Sequence, residues 1–207
     1  MKKFELTAEF VTNVFGKKLF RIKALVAFGD VEKGELGGFI EKEDNLSHDG
    51  NAWVYGNARV FGNARVSGNA QVSGDARVSG NARVYGNARV YGNAQVYGNA
   101  QVYGNAWVYG NAQVSGDARV YGNAQVSGDA RVYDDADYAV VKGFGRCFRT
   151  TTFFRCKDKI LRVQCGCFYG DLAQFREIVK KTHGDSKYAK EYLAIADLME
   201  LHFSDEY

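Results

Sequence analysis

From Ala52 to Val132 the chain repeats one six-residue unit, Ala-x-Val-(Tyr/Ser/Phe)-Gly-(Asn/Asp). Val recurs at every sixth position from Val54 to Val132, fourteen times without a slip, and Ala precedes each Val by two residues. A period of six is too short for helical-hairpin repeats or propeller blades and does not fit a heptad. Within the unit apolar and polar positions alternate, a strand signal, and each unit closes on a Gly-Asn or Gly-Asp turn signal. A strand of about four residues followed by a two-residue corner cannot extend into a flat sheet. Turning the same way each time, it makes a coil with Ala and Val inside and the residues between them outside. Glycine supplies the positive φ such a corner needs, and Asn or Asp tolerates that region while bonding local backbone.

This pattern resembles the hexapeptide repeats of left-handed parallel β-helices, which implies three units per coil. Fourteen units then make between four and five coils, a prism roughly 22 Å tall at strand spacing. Its interior is nearly all Ala and Val, so register is weakly specified and the open backbone edges need covering. The expected architecture is mainly β. Residues 1–50 form an N-terminal hairpin cap with irregular first coils, 51–133 the β-helix, and 134–207 a small α+β domain of two strands and two helices. The hairpin reads as Phe4–Thr12, a turn around Asn13–Lys17, and Leu19–Leu25. GELGGFIEKEDNLS then looks like degenerate first coils. In the C-terminal part the strands read as Thr150–Cys156 and Ile160–Phe168, joined by Lys157-Asp158-Lys159. Asp171 caps a first helix with Leu172, Phe175, Ile178 and Val179 on its apolar face, ended by His183-Gly184. Ser186 caps a second, with Tyr188, Tyr192, Ile195 and Met199 facing inward.

Every third unit shares a face, so outward residues form columns. One carries Ser67, Tyr85, Tyr103 and Tyr121; another carries Tyr55, Ser73, Tyr91, Tyr109 and Ser127. Trp53, Gln71, Arg89, Trp107 and Gln125 line the same face as the second column. Three uses are open: ring ladders that stabilise the sheet, a subunit interface, or a surface for an aromatic or phosphorylated ligand. The interface reading places Tyr85, Tyr103, Tyr121, Tyr91, Tyr109 and Trp107 between copies of the chain, in a homo-oligomer. The β-helix resemblance implies a trimer.

Whole-chain charge is uninformative at +3, but its distribution is not. Residues 51–133 hold seven Arg against three Asp, with no Lys. Between positions 142 and 162, seven basic residues stand against Asp158 alone, interleaved with Phe144, Phe148, Phe153 and Phe154. Basic residues among aromatics suit a phosphate-bearing ligand or a nucleic-acid strand. The expected recognition element is therefore Arg146, Arg149, Thr151, Arg155, Lys157, Lys159 and Arg162. On a strand, Arg149, Thr151, Phe153 and Arg155 would share a face; the alternative is a solvated strand with Phe in the core.

Hexapeptide acyltransferases use a coil His as general base, and the related carbonic anhydrases hold zinc with three His. Here His48, His183 and His202 all lie outside the repeat, so the resemblance does not carry those activities. Cys147, Cys156, Cys165 and Cys167 lack the C-x₂-C spacing of a zinc knuckle. Alternation puts Cys165 and Cys167 beside Leu161 and Val163 as small core residues; zinc binding and a Cys–His183 nucleophile are the other readings. The expectation is no cofactor and no metal. No apolar run approaches the roughly 18 residues that span a bilayer, and MKKFELTAEF has no apolar signal core, so a cytoplasmic protein with reduced thiols is expected.

The whole chain also resembles hexapeptide-repeat proteins of bacteriophages and prophages. The likeness lies in FRIKAL and GELGGFIEKEDNLS before the coil, the GNARVYGNAQVY array, and TTTFFR, CGCF and KKTHGDSKYAKEYL after it. It implies a bacterial host cell and an accessory role, by analogy the antagonism of a host defence protein or the sequestration of a nucleotide signal. The alternative is a structural spacer of a phage particle.

Overall fold

A computed structural model describes residues 1–204; the last three residues of the expected 134–207 domain lie outside it. The repeat forms a parallel β-solenoid with three faces. Fourteen two-residue strands, β4 (Trp53–Val54) to β17 (Arg131–Val132), supply one side per unit and pair with the strand three units on. Val stacks on Val in register, for example Val72 on Val90 on Val108. Every Ala and Val of the repeat interior is fully buried. The corner glycines have φ near +70° (Gly92, +71°), and a Cβ on Gly92 would lie 3.2 Å from Gly110 backbone, so a side chain there is strained and crowds the next coil. Corner asparagines form amide ladders, such as Asn69 to Asn87 to Asn105 at 3.1 Å each.

The coil ends are closed as helix ends are, by side chains that meet open backbone groups. At the N-terminal end, Lys3 Nζ donates to the carbonyls of Gly50 (3.2 Å) and Ala52 (2.9 Å). Asn45 Nδ2 donates to those of Gly62 (3.1 Å) and Ala64 (2.8 Å). Strands β1 (Phe4–Thr12) and β2 (Lys18–Ala24) form an antiparallel hairpin, and β3 (Leu36–Ile40) joins it to the solenoid by pairing parallel with Arg59–Val60. Leu46 bridges to Val66, so the degenerate coils are coils. At the C-terminal end acceptors meet open N–H groups. Asp135 Oδ1 takes Arg119 N (2.8 Å), Thr152 Oγ1 takes Gln125 N (3.0 Å), and Asp137 Oδ2 takes Tyr133 N (2.8 Å).

The C-terminal domain has four strands, not two: β18 (Tyr138–Phe144), β19 (Arg149–Arg155), β20 (Leu161–Cys165) and β21 (Phe168–Asp171), an antiparallel sheet in that order. Gly166, at φ +60°, splits the expected Ile160–Phe168 strand into a hairpin. Helices α1 (Leu172–His183) and α2 (Lys187–His202) cover one sheet face. Asp171 and Ser186 are their N-caps, through bonds to Gln174 N and Ala189 N, and Gly184 ends α1. Ile178 (38% exposed) and Tyr188 (37% exposed) lie outside the core expected for them; α1 and α2 bury narrower stripes. Strand β19 is shared by two cores. Phe154 points into the end of the solenoid and the adjacent Phe153 into the helices, both fully buried.

Candidate functional site

The reversal from β18 to β19 places Arg146, Cys147 and Arg149 at the rim of a cavity of about 370 Å³. Its walls are apolar, with Phe168 from β21 and Phe175, Ile178 and Val179 from α1. Cys165, Cys167, Thr182, His183 and Tyr192 complete it. Three backbone features hold the rim. Gly145, at φ +69°, donates its N–H to Glu191 Oε2 at 2.9 Å, and a Cβ there would run into the Tyr192 ring. Tyr192 donates to the Phe144 carbonyl at 3.3 Å. The Arg149 guanidinium lies across Gly166, where a side chain would displace it. Burial, then the neighbouring Cys165, pushes the Tyr192 phenol up to about 12, so it stays a neutral donor.

The other expected contact residues disperse. Thr151 corrects the sequence reading: it is buried and donates its hydroxyl to Cys165 Sγ at 3.2 Å, leaving nothing to present to a ligand. Arg155, Lys157 and Lys159 gather with Arg131 of the last coil in a separate groove of about 400 Å³ at the solenoid–head junction. Arg155 also donates to the Phe203 carbonyl (2.9 Å) and stacks on the Phe203 ring. Arg162 is paired with Asp158 at 2.7 Å. The stretch from 142 to 162 is thus basic in sequence without being one surface.

The thiols are free, and they divide by position. Cys156 is buried, which raises its pKa; Cys147 and Cys167 are exposed; Cys165 is half-buried. Cys167 therefore differs from the core residue expected, because Gly166 turns it outward. Among the described residues no group of three or more His, Cys, Asp or Glu is arranged to hold a metal ion. His183 packs against Tyr192 at 5.8 Å. His48 stacks on Phe4 at 4.3 Å and accepts from Lys3 N.

The solenoid columns form as ladders. Tyr85 stacks on Tyr103 at 4.9 Å, Tyr103 on Tyr121 at 5.3 Å, and Tyr91 on Tyr109 at 5.0 Å. Arg89 lies over Trp107 at 5.5 Å. Trp53 departs from the outward position expected for it. It is fully buried, because the hairpin cap lays Phe4 and Phe28 against it.

Residues 52–68, 58–74, 70–84, 82–98, 94–110, 100–114, 112–128 and 124–136 match the family model described as YdcK Beta solenoid repeat. The chain is a repeat β-solenoid protein. The matches end just before β18, so they describe the solenoid and not the domain that carries the cavity. No curated protein matches the chain. No described helix is long and apolar enough to cross a membrane.

Proposed function

We propose that this β-solenoid protein is a non-enzymatic binding protein: the solenoid is a spacer, and the C-terminal head takes a small phosphate-bearing ligand. The observation that carries this is the convergence of Arg146 and Arg149 on an apolar cavity. Two guanidiniums at the rim suit an anionic group, and the aromatic and aliphatic walls suit an organic body attached to it. A non-enzymatic role is supported by the absence of His from the coil and by the engagement of His48 in the N-terminal cap. The Tyr85–Tyr103–Tyr121 and Tyr91–Tyr109 ladders with Trp107 are proposed as the contact of a homotrimer, since Tyr and Trp favour interface cores.

The cellular setting proposed is a phage or prophage hexapeptide-repeat protein in a bacterial cytoplasm that antagonises host defence. It rests on the resemblance of the flanks, and plaque counts on defence-bearing cells with and without the protein test it. Isothermal titration with ATP and with a cyclic dinucleotide tests the site. One of them is expected to bind. Arg146→Ala with Arg149→Ala is expected to weaken that binding at least about tenfold, the scale of one lost charge-assisted bond, without lowering the melting temperature. Lys157→Gln with Lys159→Gln, in the junction groove, is expected to leave it unchanged. Equal affinity in the Arg146/Arg149 variant would remove the site assignment. The unaltered protein is expected to turn over neither nucleotide, and Cys165→Ala with Cys167→Ala is expected to keep full binding; turnover lost in that variant would favour a Cys-dependent enzyme.

A further inference from the structure

The repeat contains its own control for charge. On one face Arg59 lies in register opposite Arg77, and further along the same ladder Gln95 lies opposite Gln113. On the next face Arg65 lies opposite Arg83, which is followed by Gln101. Interior residues, corner glycines and backbone pairing are the same at both kinds of rung. The fold therefore does not require a cation at these positions. Like charges directly opposite on neighbouring strands destabilise a sheet. Among the described residues none of these four guanidiniums is in an ion pair. The carboxylate below Phe61, Glu41, is already held by Lys17 at 2.9 Å and by the Gly62 N–H at 2.7 Å.

The stretch of coil between Arg65 and Arg83 lacks rings. Ser67, Ser73 and Ser79 take the outward position after Val in three consecutive units, one complete turn. Where tyrosines fill that position in successive coils, they stack at 4.9 to 5.3 Å. Ser79 stands between Phe61 and Tyr97 in its column, so one ring is missing from the ladder there. The two flanking residues are two coil rises apart, about 10 Å, which is the span for one planar group stacked at ladder spacing. Arg59 and Arg77 lie beside this gap on its own face. Arg65 and Arg83 lie beyond the corner where Asn63 donates to Asn81 at 3.2 Å.

We infer that these two neighbouring turns bind single-stranded nucleic acid, with the four arginines on its phosphates and one base in the gap between Phe61 and Tyr97. A cationic track beside aromatic platforms is the chemistry that holds such strands without sequence preference. A purely acidic partner would match the arginines and leave the ring gap without a use. The site shares no residue with the head cavity and stands independently of it.

Fluorescence anisotropy with a fluorescein-labelled oligo(dT) of about 15 nucleotides, across a salt series, tests the proposal. The expected result is binding whose log–log salt slope is about −3, from four neutralised phosphates at about −0.7 each. Combined Arg59→Gln, Arg65→Gln, Arg77→Gln and Arg83→Gln restores the residue that later coils carry, so the variant folds. It should weaken binding at least about tenfold and flatten the slope. Ser79→Tyr completes the ring ladder. It should weaken oligo(dT) about tenfold, the worth of one stacked base, and leave heparin unaffected. Arg146→Ala with Arg149→Ala should leave oligo(dT) binding unchanged. No binding at low salt would overturn the proposal, as would binding that survives the four Gln. Equal affinity of the Ser79→Tyr variant for oligo(dT), with heparin binding as well, would overturn it in favour of a different polyanion held by charge alone.

Discussion

Phe154→Ala is expected to destabilise the protein by about 3–5 kcal/mol, the range for truncating a large buried aromatic. The cost is high because this ring is the lid of the solenoid. The last coil has no further coil to cover its Val and Ala side chains, and Phe154 packs into that end. Its neighbour Phe153 anchors the same strand to the helices, at 6.1 Å from Phe175. The strand cannot retreat to fill the void without disturbing the head. Equilibrium denaturation measures the loss, and hydrogen exchange locates it. Amides near Val126 and Val132 should lose protection while those near Val90 keep theirs. A loss spread evenly along the coil, or a cost below about 1 kcal/mol, would contradict the lid role.

The opposite end gives the second large effect. Lys3 is 3% exposed, and its ammonium is the donor to two carbonyls of the first coil. Lys3→Met keeps the stem and leaves both carbonyls buried without a partner, at about 1–3 kcal/mol for each. Burial also lowers the Lys3 pKa from the ordinary 10.5 to about 8, partly offset by Asp49. Below pH 8 the side chain is charged in both folded and unfolded chains, and the cost of burying that charge is present in full. Between about 8 and 10.5 the unfolded chain binds more protons than the folded one, so Lys3 adds stability as pH rises. The stability gap between the native protein and Lys3→Met should therefore widen from pH 7.5 to pH 10. A constant gap would place the ammonium in contact with solvent, and a narrowing one would mean that the folded chain stabilises its charge; either would contradict the burial cost.

What the sequence reveals depends on how local the cause is. The coil was legible because each unit repeats its own reason: Ala and Val inward, Gly at the corner, Asn or Asp after it. The helix starts were legible because Asp171 and Ser186 act on backbone only three residues away. The strand at Tyr138–Phe144 was not, and neither was the full burial of adjacent Phe153 and Phe154. Strand β18 is largely exposed, so no buried alternation marks it, whereas β19 is covered on one face by the solenoid end and on the other by the helices, which erases the alternation at Phe153 and Phe154. Trp53 obeys the repeat in sequence and breaks it in space, because residues some 25 to 50 positions earlier cover it.

The candidate site was legible in part for the same reason. A run of basic residues along the chain does not show how hairpins will distribute them. The turns at 143–148 and 157–159 send Arg146 and Arg149 to the cavity and Lys157 and Lys159 to the junction. Thr151 goes inside because β19 is central in its sheet. The apolar walls are legible only as a helix face: Phe175, Ile178 and Val179 follow the helical spacing, but that spacing does not show that Ile178 stays 38% exposed and lines a cavity. The arginine and serine turns of the solenoid are the reverse case. All of their residues are plain in the repeat, and only the stacking of coils shows that they surround one gap.

The central claim is that the head is a recognition element carried on a solenoid spacer. Native mass spectrometry of protein purified gently from a bacterial host tests it most directly. The account predicts three copies of the 23.0 kDa chain carrying additional mass of a phosphate-bearing ligand, and loss of that mass in the Arg146→Ala, Arg149→Ala variant. A clean multiple of the chain mass, or additional mass of the size of a single nucleotide or dinucleotide that survives in that variant, would contradict it; mass of a longer strand belongs to the solenoid and does not bear on the head.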